Sequence, residues 1–148
     1  MVPDQIEREI VIDAPVSRVW AALTEAEQIG AWFGDAGADI DPRPGGALAI
    51  HWQEYGVFHT TIERIEPERV FSWRWTHAAG DHPRPGNSTR VEFTLTPEGD
   101  ATRLRVVESG FQTLEMTDAE RARCVTDNTQ GWREELEELR GYLQRQAA

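Results

Sequence analysis

The chain has no lysine: its 15 basic residues are all arginine, set against 26 acids for a formal net charge of −11. The arginines stand singly among acids, with no basic patch. Nucleic acids and anionic lipids are held by clustered cations, so this pattern excludes both as partners and favours solubility. Cysteine is nearly absent. The single Cys124 rules out an internal disulfide, and the four histidines lack the close helical pairing of a zinc site, so no metal is expected. His77 and His82 share a loop with Asp81, but a solvated loop is the ordinary reading of that trio. No apolar run reaches the ~18 residues that a membrane-crossing helix needs, so no membrane insertion is expected. Met1 to Gln5 lacks the basic stretch and apolar run of a signal peptide. Together these absences predict a cytoplasmic location. No Gly-Lys-Ser/Thr follows Pro44-Gly45-Gly46, and neither Gly-x-Gly-x-x-Gly nor Gly-x-Ser-x-Gly occurs. A phosphate cradle and a serine-nucleophile elbow are thereby excluded, and no cofactor is expected.

What remains is a chain of 148 residues, the length of one domain able to bury roughly 70% of its unfolded surface. Ile6, Ile10 and Ile12 alternate with polar residues, predicting a strand from Ile6 to Asp13. Pro15 suits a first helical turn, and Val16, Val19, Trp20 and Leu23 follow at helical spacing. Thr24 with Glu27 has the spacing of a capping box for a second short helix carrying Ile29, Trp32 and Phe33 and ending at Gly34. Strand patterns then run over 47–52, 57–65, 70–76, 89–95 and 102–107. In the third of these, Phe71, Trp73 and Trp75 share one face. Arg74 and Glu92 are expected to pair on the opposite, outer face.

Thr117 and Glu120 open a long final helix as a second capping box. Its apolar stripe is Val125, Trp132, Leu136, Leu139 and Leu143, and its solvated side is Arg133, Glu134, Glu137, Glu138 and Arg140. Between Val125 and Trp132 the stripe thins to Asn128 and Thr129, as a helix lying over a cavity would. Gly131, unfavourable by about 1 kcal/mol in a helix interior, predicts a close approach of another element. Cys124 sits in the first turns of this helix, away from any histidine, and reads as a half-buried thiol.

These stretches, in this order, resemble a known family. Asp13-Ala14-Pro15 through Val19-Trp20 and Ala22-Leu23-Thr24, then Ala31-Trp32-Phe33, Pro44-Gly45-Gly46 and Ile65-Glu66-Pro67 carry the first half. Phe71-Ser72-Trp73-Arg74-Trp75, Thr102-Arg103-Leu104, Glu108-Ser109-Gly110-Phe111, and Gly131-Trp132 with Leu136 and Leu139 carry the second. The set is similar to the START-like (SRPBCC) superfamily, in its bacterial branch resembling the activator of the heat-shock-protein-90 ATPase. The resemblance implies an α+β helix-grip fold: a curved antiparallel sheet of six to seven strands wrapped on a long C-terminal helix. It also implies a co-chaperone-like role with a chaperone partner, in a stress response, as one function among several. Because the superfamily also includes lipid carriers and polyketide cyclases, it transfers no catalytic residue, and fold alone does not imply function.

The residues themselves point to a pocket for a small apolar or aromatic molecule. Its candidate wall is Trp32, Phe33, Trp52, Trp73, Trp75, Phe93, Val125, Thr129 and Trp132. The alternative is that these rings fill the grip and leave no hollow. His59 joins the candidates as a base or donor near neutral pH, provided that its strand face looks inward. The more apolar Phe58 and Ile62 argue that the other face does. A cyclase- or hydrolase-type enzyme working in the same cavity stands as an alternative, though no catalytic motif is found. A homodimer joined at an apolar sheet edge is a further expectation.

Overall fold

Antiparallel pairing organises the molecule. The computed structural model describes residues 3–76 and 78–147. Strand β1 (Gln5–Ile12) leads into helices α1 (Val16–Thr24) and α2 (Ala26–Trp32). Strands β2 (Ala38–Ile40), β3 (Ala47–Trp52), β4 (Gly56–Glu66), β5 (Val70–Thr76), β6 (Ser88–Glu98) and β7 (Ala101–Ser109) follow. A single 3-10 turn (Phe111–Thr113) precedes helix α3 (Asp118–Ala147). The seven strands form one curved sheet in the order β1-β7-β6-β5-β4-β3-β2, and α3 closes the grip expected from the sequence. Strand β2 has only three residues, too few for an alternation to reveal. In β4 the register with β5 shifts between Ile62 and Arg64, leaving Glu63 as a bulge that bends the strand.

Period-two alternation decides the two faces. Inward go Leu48 and Ile50, Phe71 and Trp73, Val91 and Phe93, and Leu104 and Val106, where they pack with Trp132, Leu136, Leu139 and Leu143 of α3. A smaller cluster of Ile6, Phe111 and Leu114 takes Met116, Cys124 and Val125 from the region where α3 begins. Arg18 Nη2 of α1 donates to the Leu143 carbonyl at 2.8 Å, tying the far end of the long helix to the short pair.

The outer face carries the arginines. Arg105 grips Glu7 through two bonds of 2.9 Å, and Arg103 bridges Glu9 and Glu98. Exposed pairs of this kind contribute at most about 1 kcal/mol each, so they chiefly neutralise the sheet surface. Arg74 does not meet Glu92 as expected. The register sets it opposite Arg90 and sets Glu92 opposite Ser72, and the bulged Glu63 reaches both arginines, Arg90 at 2.8 Å and Arg74 at 3.7 Å.

Of the two expected capping boxes, one forms. The Glu120 N–H donates to Thr117 Oγ1 and the Thr117 N–H donates to Glu120 Oε1, both at 3.2 Å. Thr24 instead ends α1, its hydroxyl donating to the Trp20 carbonyl at 2.8 Å, and the N-cap of α2 is Glu25, which makes no side-chain capping bond. A threonine in a last helical turn finds the carbonyl four residues back within easier reach than the next helix's N–H.

Candidate functional site

The site begins at the end of α2. Gly34 has φ +81°, and a Cβ there would stand 2.9 Å from Ile50 Cγ2 and 3.0 Å from the His51 carbonyl. Only glycine lets the chain turn so tightly against β3. That turn drives Phe33 into the middle of the tryptophans. Its ring lies edge-on to Trp32 at 5.1 Å, Trp132 at 5.8 Å, Trp52 and Trp75 at 6.0 Å, and Trp73 at 6.3 Å between centroids. Trp75 and Trp132 stack on one another at 5.8 Å.

Behind that stacked pair lies Glu108, with 0% exposure. It continues the inward series of Leu104 and Val106 on β7. Its two oxygens are met by donors from three other elements. Trp132 Nε1 donates to Oε1 and Trp75 Nε1 to Oε2, both at 2.9 Å. The Thr89 hydroxyl donates to Oε2 at 2.6 Å, and Asn128 Nδ2 lies 3.0 and 3.1 Å from the two oxygens. One buried carboxyl thus orients both indoles and links α3 to β5, β6 and β7. In low dielectric such a satisfied network holds its members in a single arrangement.

In front of the same indoles a cleft of about 520 Å³ opens between α3 and the sheet. Phe33, Trp52, Phe58, Trp75 and Trp132 supply aromatic wall, and Tyr55, 63% exposed, stands at the rim. Helix α3 contributes Asp127, Asn128, Gly131 and Glu135, which helical spacing puts on one side. The volume falls in the range of small-molecule sites, as does the mixture of apolar wall and few polar groups. The expected close approach at Gly131 does not occur: a Cβ there would meet nothing within 4 Å, because the residue borders the open cleft.

Glu135 is the unusual polar group of this wall. Its Oε2 is buried without a hydrogen-bond partner. Burial, and then the neighbouring Glu138 and Glu134, push its carboxyl up to about 7 from an ordinary 4.5. The folded protein therefore binds more protons at this site than the unfolded chain between those two values. Its contribution falls as pH rises from about 4.5 through about 7, and the full penalty applies above that. Glu135→Gln is expected to be more stable than the parent at pH 8 by about 2 kcal/mol, allowing for solvent screening of a partly exposed group. Near pH 4 the two proteins should unfold together; urea titrations at both pH values read the difference.

Of the residues singled out from sequence, Phe33, Trp52, Trp75 and Trp132 line the cleft. Trp32, Trp73 and Phe93 sit in closed core instead. Trp32 Nε1 donates to the Ala22 carbonyl at 2.7 Å, and the rings of Trp73 and Phe93, both buried, lie 5.2 Å apart. Val125 packs in the smaller cluster, and the Thr129 hydroxyl donates to its carbonyl at 2.6 Å. Neither borders the cleft. His59 is on the outer face, because Phe58, Thr60 and Ile62 take the inner one. It stacks on His82 at 4.1 Å, and burial, followed by the charges of His82 and His51, pushes its imidazole down. His77 lies outside the described residues, and among those described no three metal-ligating side chains converge. Cys124 is half-buried, 3.8 Å from the Met116 sulfur, and burial, Asp127 and Glu108 push its thiol up, away from nucleophilic use.

Two polar groups of the site escape the sequence reading, and each had a signal. Continuing the alternation of Thr102, Leu104 and Val106 one step further brings Glu108 inside. Glu135 falls three residues after Trp132, on the flank of the apolar stripe and apart from the solvated set.

Among the described residues no helix is long and apolar enough to cross a membrane. Solved structures share the architecture. Protein MLL2253 from Mesorhizobium loti is 28% identical, with 95% of this chain and 97% of that chain covered at a TM-score of 0.79. CalU16 from Micromonospora echinospora is also 28% identical, with coverage of 94% and 75% and a TM-score of 0.72. The Aha1 dimer from Colwellia psychrerythraea, 21% identical over 94% and 95% at a TM-score of 0.71, is alike in fold. No curated protein matches the chain. The family model described as Activator of Hsp90 ATPase homolog 1-like protein matches residues 13–144, from the strand-to-helix turn to the end of α3, and the chain belongs to that family, within the SRPBCC superfamily.

Proposed function

We propose that the protein binds a small, largely apolar aromatic molecule in the cleft between α3 and the sheet. The observation that carries this reading is the cleft itself, about 520 Å³ of open volume beside five aromatic side chains. A core that needed these rings only for packing would close over them, since interiors are normally filled to crystal-like density. Here the network around Glu108 holds Trp75 and Trp132 upright at the edge of open space, so the site is formed before a ligand arrives. A preformed wall avoids the ordering cost that a floppy one would impose on binding. The dimer of the Colwellia relative supports a homodimer for this chain as well.

Native mass spectrometry of freshly purified protein, with solvent extraction, would reveal a retained ligand. Saturable quenching of tryptophan emission by 2-ethylnaphthalene tests the cleft directly. Gly131 offers the sharpest control. Gly131→Leu puts a side chain into the open volume while removing a helix-destabilising glycine, so stability should hold or rise by about 0.5–1 kcal/mol. Affinity for the probe should fall by about tenfold or more, the loss expected when an apolar contact surface is blocked. Unchanged affinity in a folded Gly131→Leu protein would count against the cleft as the binding site.

A further inference from the structure

We infer that the cleft is built for an organic cation, an aromatic molecule carrying a protonated amine that Glu135 pairs with while the indole faces hold its ring. This inference rests on the binding reading above and adds its charge class. Among the described residues, the cleft wall contains two carboxyl groups, Asp127 and Glu135, and no arginine or histidine. The other elements that border it supply Phe33 from the end of α2, Trp52 from β3, Tyr55 and Phe58 from the β3–β4 hairpin, and Trp75 and Thr76 from β5. None of these side chains carries a charge at neutral pH. The acids that bear on Glu135 along its own helix are Glu138 and Glu134, and Glu108 lies behind the two indoles with its oxygens already met by donors.

A buried carboxyl oxygen without a partner costs free energy and calls for a partner from outside the chain. Here the residue lines a cavity wide enough for a ring, and among the described residues that oxygen meets no donor. The indoles add a second preference of the same sign, since the face of tryptophan attracts a cation within about 6 Å. Asp127 and the net charge of −11 extend the attraction to longer range. A carboxylate ligand would meet repulsion from each of these groups. The raised proton affinity of Glu135 then has a consequence for binding. Pairing with a cation requires the ionised form, so affinity should rise as pH increases from 5.5 to 8, while an amine of ordinary basicity stays protonated throughout.

Three probes with one ring test this: 2-(2-naphthyl)ethylamine, 2-ethylnaphthalene and 3-(2-naphthyl)propionate, titrated by calorimetry at pH 8 and pH 5.5. The amine should bind about tenfold tighter than the neutral probe at pH 8 and lose most of that advantage at pH 5.5, with the carboxylate weakest. Glu135→Gln should erase the amine's advantage and leave the neutral probe within about twofold. If the neutral probe binds and the amine binds no better, or if Glu135→Gln keeps the preference, the charge assignment is overturned and the apolar cleft stands. If none of the three binds, the cleft reading falls and takes this inference with it.

Discussion

Glu108→Ala is expected to lower stability by about 3–5 kcal/mol, the range seen when one member of a buried charged network is removed. For a chain of this size that corresponds to a fall in melting temperature of roughly 10 °C. The loss comes less from the vanished carboxyl than from what it leaves behind. The N–H groups of Trp75 and Trp132 and the amide of Asn128 all point at its oxygens. Each buried donor stripped of its acceptor costs about 1–3 kcal/mol. Glu108→Gln should be less damaging, costing about 1–3 kcal/mol. Its amide oxygen keeps one acceptor and its NH2 group can donate to the Thr89 hydroxyl, but one indole N–H loses its acceptor. Glu9→Ala, on an exposed outer-face pair with Arg103, should stay within about 0.5 kcal/mol of the parent. Thermal melts, together with the near-ultraviolet circular dichroism of the indoles, read all three. A Glu108→Ala protein that melts within about 3 °C of the parent would mean that the network is dispensable.

Trp132→Ala should produce two losses at once. Trp132 is 3% exposed, packs against Phe33, Trp75 and Phe93, and donates to Glu108, so truncation should cost about 3–5 kcal/mol. The same ring is cleft wall, so affinity for 2-ethylnaphthalene should drop as well, by about tenfold. Trp132→Phe separates the two effects. It keeps an aromatic face but no N–H, so stability should fall by about 1–2 kcal/mol with most of the probe affinity retained. Stability lost and affinity intact in both variants would reduce Trp132 to a core residue and remove it from the binding surface.

Much of the frame was legible in the residue order. The strands over 47–52 and 70–76 were readable to the residue, because apolar side chains at every second position bury one face and because glycine, proline and acidic turns bound them. The stripe of Leu136, Leu139 and Leu143 announced the covering helix for the same reason at a different period. The Thr117–Glu120 cap was readable because both of its bonds close within one helical turn. The Thr24–Glu27 cap was not, since the same side chains had a competing local carbonyl. Arg74 and Glu92 do not pair because the β5–β6 register, which local patterns leave open, sets them two residues apart, and Glu63 from β4 takes Arg74 instead.

Sequence alone determined which residues are apolar and at what period, and hence a run of strands closed by one long helix; the curved helix-grip arrangement was what the family resemblance implied. It also determined that the chain is acidic and carries six tryptophans. Only the tertiary structure decided which of those aromatics border open space. Trp73 and Trp75 are indistinguishable by alternation, yet Trp73 is sealed beneath Phe33 and Phe93 while Trp75 faces the cleft. The difference depends on how far α3 stands off the sheet at each turn, and that separation is set by side chains distant in sequence meeting across the gap. Glu108 and Glu135 follow the same rule. Both are acids near apolar neighbours in the chain, and only the fold gives one a full shell of donors and leaves the other, on the cavity wall, with a buried oxygen unpaired.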